Sequence, residues 1–292
     1  MIIGVLGRDA EGWGTLQLMR SLEKRGVSPA FLSPLRVVAR IGYKPALIID
    51  DVNIVKDLAA LIIRPIGRGS LEEIIFRMDT MLSLERKGTI VINPARTIER
   101  CVDKYYALAL LEENGLPVPR TLVTEKAREA MKGFHELGGD VVLKPLFGSR
   151  GIGSTRIFNA DIAARIFSTI EFNHGVLYLQ EFLSHGDSDI RAFVIGDRVI
   201  AAMQRVGDSW KTNVSQGAQP VAINLTKDLE ALALRAAKAV DCKLAGVDIL
   251  EHEGRYLVIE LNSQPGWRGL QSVTKVNIAD CIVDFVLSEV KR

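Results

Sequence analysis

Between Gly246 and Asn262 the chain reads Gly-Val-Asp-Ile-Leu-Glu-His-Glu-Gly-Arg-Tyr-Leu-Val-Ile-Glu-Leu-Asn, two apolar-rich runs joined by a short glycine-containing turn. No other segment constrains the fold as tightly. Period-two runs flanking a turn predict a β-hairpin, and a hairpin fixes which side chains face each other. Side chains alternate along a strand, so Glu260 and Asn262 share a face. A turn centred on Gly254 puts Asp248 opposite Glu260. Asp248, Glu260 and Asn262 then converge as three oxygen donors, with Val247, Ile249, Val258, Ile259 and Leu261 expected in the interior. Two carboxylates in an apolar hairpin repel each other and lose hydration, and a cation between them relieves both. Oxygen-only donors point to Mg2+ or Mn2+ bridging phosphates. An edge hairpin with all three facing water fits the pattern too.

A second constellation is Val141-Val-Leu-Lys-Pro-Leu-Phe-Gly-Ser-Arg-Gly-Ile-Gly153. A strand delivers Lys144, and Gly148, Gly151 and Gly153 let backbone N–H groups approach an anion. It is not a Walker A loop, because Ser154 stands where that motif requires lysine. A strand, not a helix, follows the glycines, so the pattern fits a loop lying over phosphates, or an exposed basic hairpin turn. The third is Arg191 and Arg205, each on an apolar antiparallel strand. Either salt bridges absorb them or they clamp anionic substrate groups. Gln180-Glu181-Phe182-Leu183 links two strand regions with groups able to hold a base.

Around these motifs, strands and helices alternate. Strand candidates at 2–6, 45–50, 58–63 and 89–92, with helices at 15–25 and 71–87, imply a parallel sheet covered by helices. No GxGxxG follows the first strand, which argues against a dinucleotide site. Helices at 104–114, 127–136 and 160–170 separate strands at 121–123, 141–144, 154–158 and 177–181. After these the chain turns mainly antiparallel, at 190–195, 199–204 and the hairpin. Thr226 caps an amphipathic helix, and a last helix starts near Asn277, its apolar side expected to be core. The 292 residues leave room for more than one domain. A net charge of +2 excludes bulk positive charge as a route to nucleic acid. No apolar run approaches the roughly 18–20 residues of a membrane span. Cys101, Cys242 and Cys281 show no metal or disulfide spacing, nor do the histidines. A soluble cytoplasmic enzyme with no membrane or nucleic-acid partner is expected.

Taken together, the motifs resemble the ATP-grasp superfamily and, within it, the RimK-like α-L-glutamate ligases. Seven landmarks stand in order: Asn93-Pro…Asp103-Lys104, Pro117-Val-Pro-Arg-Thr, Leu143-Lys-Pro-Leu-Phe-Gly-Ser-Arg-Gly-Ile-Gly, Gln180-Glu-Phe, Asp189-Ile-Arg, Gly246-Val-Asp and Glu260-Leu-Asn-Ser…Pro265-Gly. Within that branch the chain is similar to the tetrahydromethanopterin:α-L-glutamate ligase group. The resemblance implies a mixed α/β and α+β fold. It would comprise a Rossmann-like preATP-grasp domain (1–95), a central subdomain with the glycine loop (96–180) and a C-terminal subdomain with the metal site (181–292).

It also implies roles. Lys104 and Lys144 would contact ATP phosphates beneath the loop of Gly148, Gly151 and Gly153. Gln180, Glu181, Phe182 and Leu183 would hold adenine, with Asp189 beside the nucleotide, and Lys211, Thr212 and Asn213 would touch nucleotide and substrate. Asp248, Glu260 and Asn262 would bind two Mg2+ or Mn2+ ions. Arg191 and Arg205 would be catalytic, neutralising the transferring phosphoryl group. Arg64, Asn93 and Asn213 would lie near substrate. Relatives often carry arginine at Lys211 and within Ser215-Gln216-Gly217, positions that help choose the substrates.

The implied reaction joins L-glutamate to a carboxylate acceptor through an acyl phosphate, releasing ADP and phosphate. Acceptors in play are a pterin cofactor, a deazaflavin cofactor, a protein C-terminus and a carrier protein. The competing readings are a non-catalytic ATP-binding protein and an ATP-grasp ligase of another kind. Ligases of this branch commonly form homodimers or homotetramers, so the resemblance implies one of these for this chain.

Overall fold

The pentapeptide Ile2–Leu6, buried over its last four residues, forms β1 (Ile2–Leu6) inside the first sheet. The structure, a computed structural model, describes residues 1–148, 151–214 and 217–291. Helix α1 (Trp13–Glu23) returns the chain to β2 (Ser28–Leu32), parallel to β1. A small antiparallel sheet of β3 (Val37–Ala39), β4 (Leu47–Ile49) and β5 (Val52–Asn53) follows. Then come β6 (Leu58–Ile63), α2 (Leu71–Arg86) and β7 (Ile90–Ile92). The parallel sheet runs β2-β1-β6-β7, so the connection order reverses between β1 and β6. The crevice beyond the C-terminal ends of those two strands is where such sheets receive ligands. The strand expected at 45–50 exists as β4, but in the small antiparallel sheet. Its expected place is taken by β2, which Ser28 and Pro29 conceal from a search for apolar runs.

Helices α3 (Ala95–Val102) and α4 (Lys104–Glu113) lead into the second sheet, with the Asp103 carboxylate accepting from the Tyr105 and Tyr106 amides to start α4. The elements β8 (Thr121–Thr124), α5 (Ala127–Glu136), β9 (Val141–Lys144), β10 (Thr155–Ile157), α6 (Ala160–Phe172) and β11 (Leu177–Glu181) follow. The strands pair antiparallel in the order β10-β9-β11-β8. Alternation divides the faces. Val141, Leu143, Leu177 and Leu179 pack with Phe134 and Phe167 of the helices, which leaves Val142, Lys144 and Gln180 for the other side.

The third sheet, ordered β14-β13-β12-β15-β16, is antiparallel throughout. It is built from β12 (Ser188–Ile195), β13 (Arg198–Val206), β14 (Gln219–Ala222), β15 (Leu244–His252) and β16 (Arg255–Asn262), with α7 (Lys227–Ala239) between β14 and β15. Ala192, Val194, Val247, Ile249, Val258 and Leu261 turn toward α7 in one core. The other face carries Phe193, Ile195, Met203 and Leu244. These join Ile3, Leu18 and Ile62 of the first sheet layer, Trp267, and Ile278, Ile282 and Val286 of the last helix. The short α8 (Arg268–Gln271) precedes that helix, α9 (Ile278–Val290), which packs on α1 and is core, as its apolar spacing suggests. Among the described residues, no helix is long and apolar enough to cross a membrane.

Candidate active site

Strand register brings the charged residues of the third sheet together. Arg205 on β13 stands opposite Asp189 on β12, Arg191 on β12 opposite Asp248 on β15, and Asp248 opposite Glu260 on β16. All five lie on one face, since each pair is directly opposed and Asp189 and Arg191 are two apart. Arg191 Nε donates to Asp248 Oδ1, and its Nη2 to Oδ2 at 2.7 Å. Arg205 Nη2 donates to Asp189 Oδ2 and reaches Asp248 Oδ2 at 3.1 Å, while its Nε donates to Asp189 Oδ1 at 2.5 Å. Thr212 Oγ1 closes the network on Asp189 Oδ2 at 2.6 Å. The opposition of Asp248 and Glu260 expected from the sequence is present. Three free converging ligands are not. Asp248 spends both oxygens on guanidinium groups, because arginines on the neighbouring strands supply the positive charge that the hairpin alone lacks.

Glu260 differs. Among the described residues it has no ion pair within 4 Å and no hydrogen bond to its carboxylate. Burial, reinforced by Asp248, lifts it above the usual carboxylate range against Lys104, Lys144 and Arg191. Burial also tends to raise Asp248, but Arg191 and Arg205 hold it low. A carboxylate in a cleft without a partner is a donor for a hard divalent cation, and Asn262, two residues on and on the same face, does not line the cleft itself. Among the described residues no three His, Cys, Asp or Glu side chains group closely enough to hold a metal by themselves. A cation here would therefore take its remaining oxygens from Asn262 and a bound phosphate. A bulge between Asp248 and Ile249 leaves Ile259 outside the pairing, so Ile259 lines the cleft instead of entering the core as expected.

The cleft lies between the second and third sheets, with about 850 Å³ of empty volume, part of it open solvent. Lys104, Lys144, Gly148, Gly151, Gln180, Glu181, Phe182, Leu183, Asp189, Arg205, Lys211, Thr212, Asn213, Asp248 and Glu260 all line it. Lys144, at the end of β9, donates to Gln180 Oε1 at 2.6 Å, and burial lowers its ammonium to about 8. Burial also lowers Lys104, whose Nζ donates to the Gly148 carbonyl at 2.9 Å and so tethers the glycine loop. Gly151 and Gly153 hold φ of 68° and 82°, where a side chain is strained, which accounts for two of the glycines. Gly153 packs against Pro145 and does not line the cleft. Ser149 and Arg150 of the loop, and Ser215 and Gln216, lie outside the described residues.

At the far end Phe182 is sandwiched. Arg156, held by Asp140, stacks 3.5 Å over its ring, and Trp210 meets it edge-on at 6.1 Å. The Glu181 carboxylate accepts from the Arg120 backbone and guanidinium, and its own N–H donates to the Arg120 carbonyl at 3.0 Å, which fixes this end of the cleft wall. Sequence reasoning missed Trp210 and His185, both in the wall. An aromatic residue set in the polar stretch Asp208-Ser-Trp-Lys-Thr-Asn213 was the available signal for the first.

Several candidates sit elsewhere. Asn93 is buried with its amide fully used. Its Nδ2 donates to the Leu244 and Ser263 carbonyls, and its Oδ1 accepts from Lys243 and Leu244 amides. Asn93 is thus a structural clamp, and its expected substrate contact is corrected. Arg64 is at the first sheet, its ring-stacked guanidinium 4.4 Å from the Trp267 centroid, outside the cleft. Arg191 lies behind Asp248.

The sequence profile of the RimK-like ATP-grasp domain matches residues 101–286. The chain is 35% identical to the tetrahydromethanopterin:alpha-L-glutamate ligase of Methanococcus maripaludis, with 100% of both chains covered. It is 31% identical to a probable alpha-L-glutamate ligase of Trichodesmium erythraeum, covering 98% of this chain and 96% of that one. Its backbone resembles the ATP-grasp ligase PsnB solved with a minimal precursor, Mg and ADP, with a TM-score of 0.77, 25% identity and coverage of 99% and 98%.

Proposed function

The chain belongs to the RimK-like ATP-grasp family and has its fold, and on that premise we propose an ATP-dependent ligase that joins L-glutamate to a carboxylate acceptor. The acceptor would be a tetrahydromethanopterin-type cofactor, a reading supported by full-length likeness to a ligase of that name. One observation carries the reading most: an unpartnered, half-buried Glu260 near two lysines and two arginines, in a cleft walled by a glycine loop. In this reading residues 1–95 form the preATP-grasp domain, 96–180 the subdomain bearing the loop, and 181–292 the subdomain bearing the charged stripe.

Each residue then has a task. Lys104 and Lys144 neutralise ATP phosphates, and the loop from Gly148 covers them to keep water from the activated acyl group. Gln180 to Leu183 and Trp210 hold the base. Glu260 and Asn262 would hold Mg2+ or Mn2+, two ions in this reading, and Asp248 would join them only once Arg191 and Arg205 have left its oxygens. Bound there, the metal would draw charge from the phosphoryl oxygens. Arg205 and Arg191 stand ready to leave Asp248 for the phosphoryl group and the acyl phosphate. The glutamate amine then takes the acyl carbon and phosphate departs. No step calls for a nucleophilic serine or cysteine.

Purified protein given Mg2+, ATP, L-glutamate and candidate acceptors should release ADP and phosphate in equal amounts, with mass spectrometry showing the acceptor heavier by glutamate. AMP and pyrophosphate as products would refute the assignment.

A further inference from the structure

Two cysteines far apart in the sequence meet in the fold. Helix α3 turns one face to the loop that joins α7 to β15. On that face Thr97 Oγ1 donates to the Asp241 carbonyl at 2.8 Å, and Arg100 Nη1 reaches the Val240 carbonyl at 3.4 Å. Residues four apart share a helix face, so Cys101 follows Thr97 onto the same loop. There its thiol is hydrogen-bonded to that of Cys242. Both side chains belong to the core beneath α7, Cys242 buried within it and Cys101 half-buried at its edge. Cys281, on α9, packs against a different core.

The two thiols are not equivalent. Cys242 Sγ donates to the Leu244 carbonyl at 3.2 Å, which leaves its lone pairs for the Cys101 S–H. Burial, reinforced by Cys101, pushes the Cys242 thiol well above the ordinary cysteine range and keeps it neutral. Cys101 is the member of the pair that solvent reaches. Its place on the chain matters as well. Cys101 stands just before Asp103 and Lys104, and Lys104 holds the Gly148 carbonyl at 2.9 Å. Cys242 leads into β15, which carries Asp248. A bond between these sulfurs would join the roots of two cleft walls.

We propose that Cys101 and Cys242 form a reversible disulfide site whose oxidant is a hydroperoxide. With hydrogen peroxide, one oxygen passes to the Cys101 sulfur, the O–O bond breaks, and the products are the sulfenic acid and water. The Cys242 sulfur then attacks the Cys101 sulfur. The S–S bond forms as the S–O bond breaks, and the departing hydroxide takes the Cys242 proton as a second water. No free Cys242 thiolate is needed. Two thiols are oxidised by one peroxide, and a dithiol reverses the bond by exchange. The side chains are already in contact, so the bond asks little movement of α3. It closes a long loop of chain and stabilises the fold chiefly by restricting the unfolded state.

Treating the dilute, folded full chain with hydrogen peroxide, then unfolding it and alkylating every remaining thiol, tests this. Mass spectrometry should show a chain lighter by two hydrogens, a linked pair of peptides holding Cys101 and Cys242, and an alkylated Cys281. Dithiothreitol should restore all three alkylatable thiols. The oxidised chain should melt several degrees above the reduced one. Cys101→Ser should abolish both the linkage and the gain in melting temperature, whereas Cys281→Ser should keep both. Cys242→Ala, a small apolar replacement in the core, should match Cys101→Ser. Three results would overturn the proposal: Cys101 ending as sulfinic acid with Cys242 still alkylatable, a linkage through Cys281 or to a second chain, or a linked chain that melts no higher than the reduced one.

Discussion

Asp248 and Glu260 face each other across two strands, yet replacing them should have opposite effects on stability. Asp248 balances two buried guanidinium groups, so Asp248→Ala strands both and should cost about 3–5 kcal/mol in urea unfolding. Glu260 has no such partner. Glu260→Gln should raise the thermal midpoint by a few degrees while abolishing ADP release. Its carboxyl titrates higher folded than unfolded, so the gain should fade as pH falls and vanish below about 4, the ordinary glutamate range, where both states become protonated. Lys144 gives the reverse pattern. Its ammonium titrates near 8 in the fold, so the burden on stability is full below that value and gone above the ordinary lysine range. Only the charged form holds phosphate. ATP affinity should therefore decline as pH rises through about 8, and Lys144→Arg should flatten that decline. That the two lysines, the tetrapeptide Gln180 to Leu183 and the carboxylates share one cleft was legible because each sits in a motif with fixed spacing. The state of Asp248 was not. It depends on strands some 40–60 residues upstream, and no spacing within the hairpin announces which arginines will lie opposite.

At the scale of elements, the hairpin was readable down to its turn, because alternating side chains allow few registers once one face is buried. The bulge that swings Ile259 into the cleft was not, since one extra residue leaves the apolar pattern almost unchanged. β3 and β5 escaped because two or three residues carry no period, and α3 because Arg96, Glu99 and Arg100 obscure its apolar stripe. Gly246 shows what register demands. A methyl there meets Arg191 Nη1 and Pro265 at about 3 Å, so Gly246→Ala should cost about 1–3 kcal/mol. It should also lower the rate of ADP release more than the affinity for ATP. Equal changes in both would place the damage in the nucleotide cleft instead.

Across the whole molecule, α9 binds the first sheet layer to the third. Arg25 pairs with Asp280 and Asp284, and Ser21 Oγ donates to Asp280, while Val286 is fully buried in the shared core. Val286→Ala should lower stability by about 2 kcal/mol and leave ATP affinity intact, with tryptophan fluorescence and circular dichroism reporting one common unfolding transition. Charge is organised at this scale as well. A net +2 over the chain conceals four cationic and three anionic side chains in one stripe and its overhanging lysines. The three tryptophans are likewise divided between places. Trp210 stands alone against Phe182 in the cleft, whereas Trp13 and Trp267 lie 6.0 Å apart beside Arg64. The protein thus carries two native optical reporters. Nucleotide entry should perturb the first and leave the second unchanged, so stopped-flow emission from single-tryptophan variants should time nucleotide arrival with no label attached.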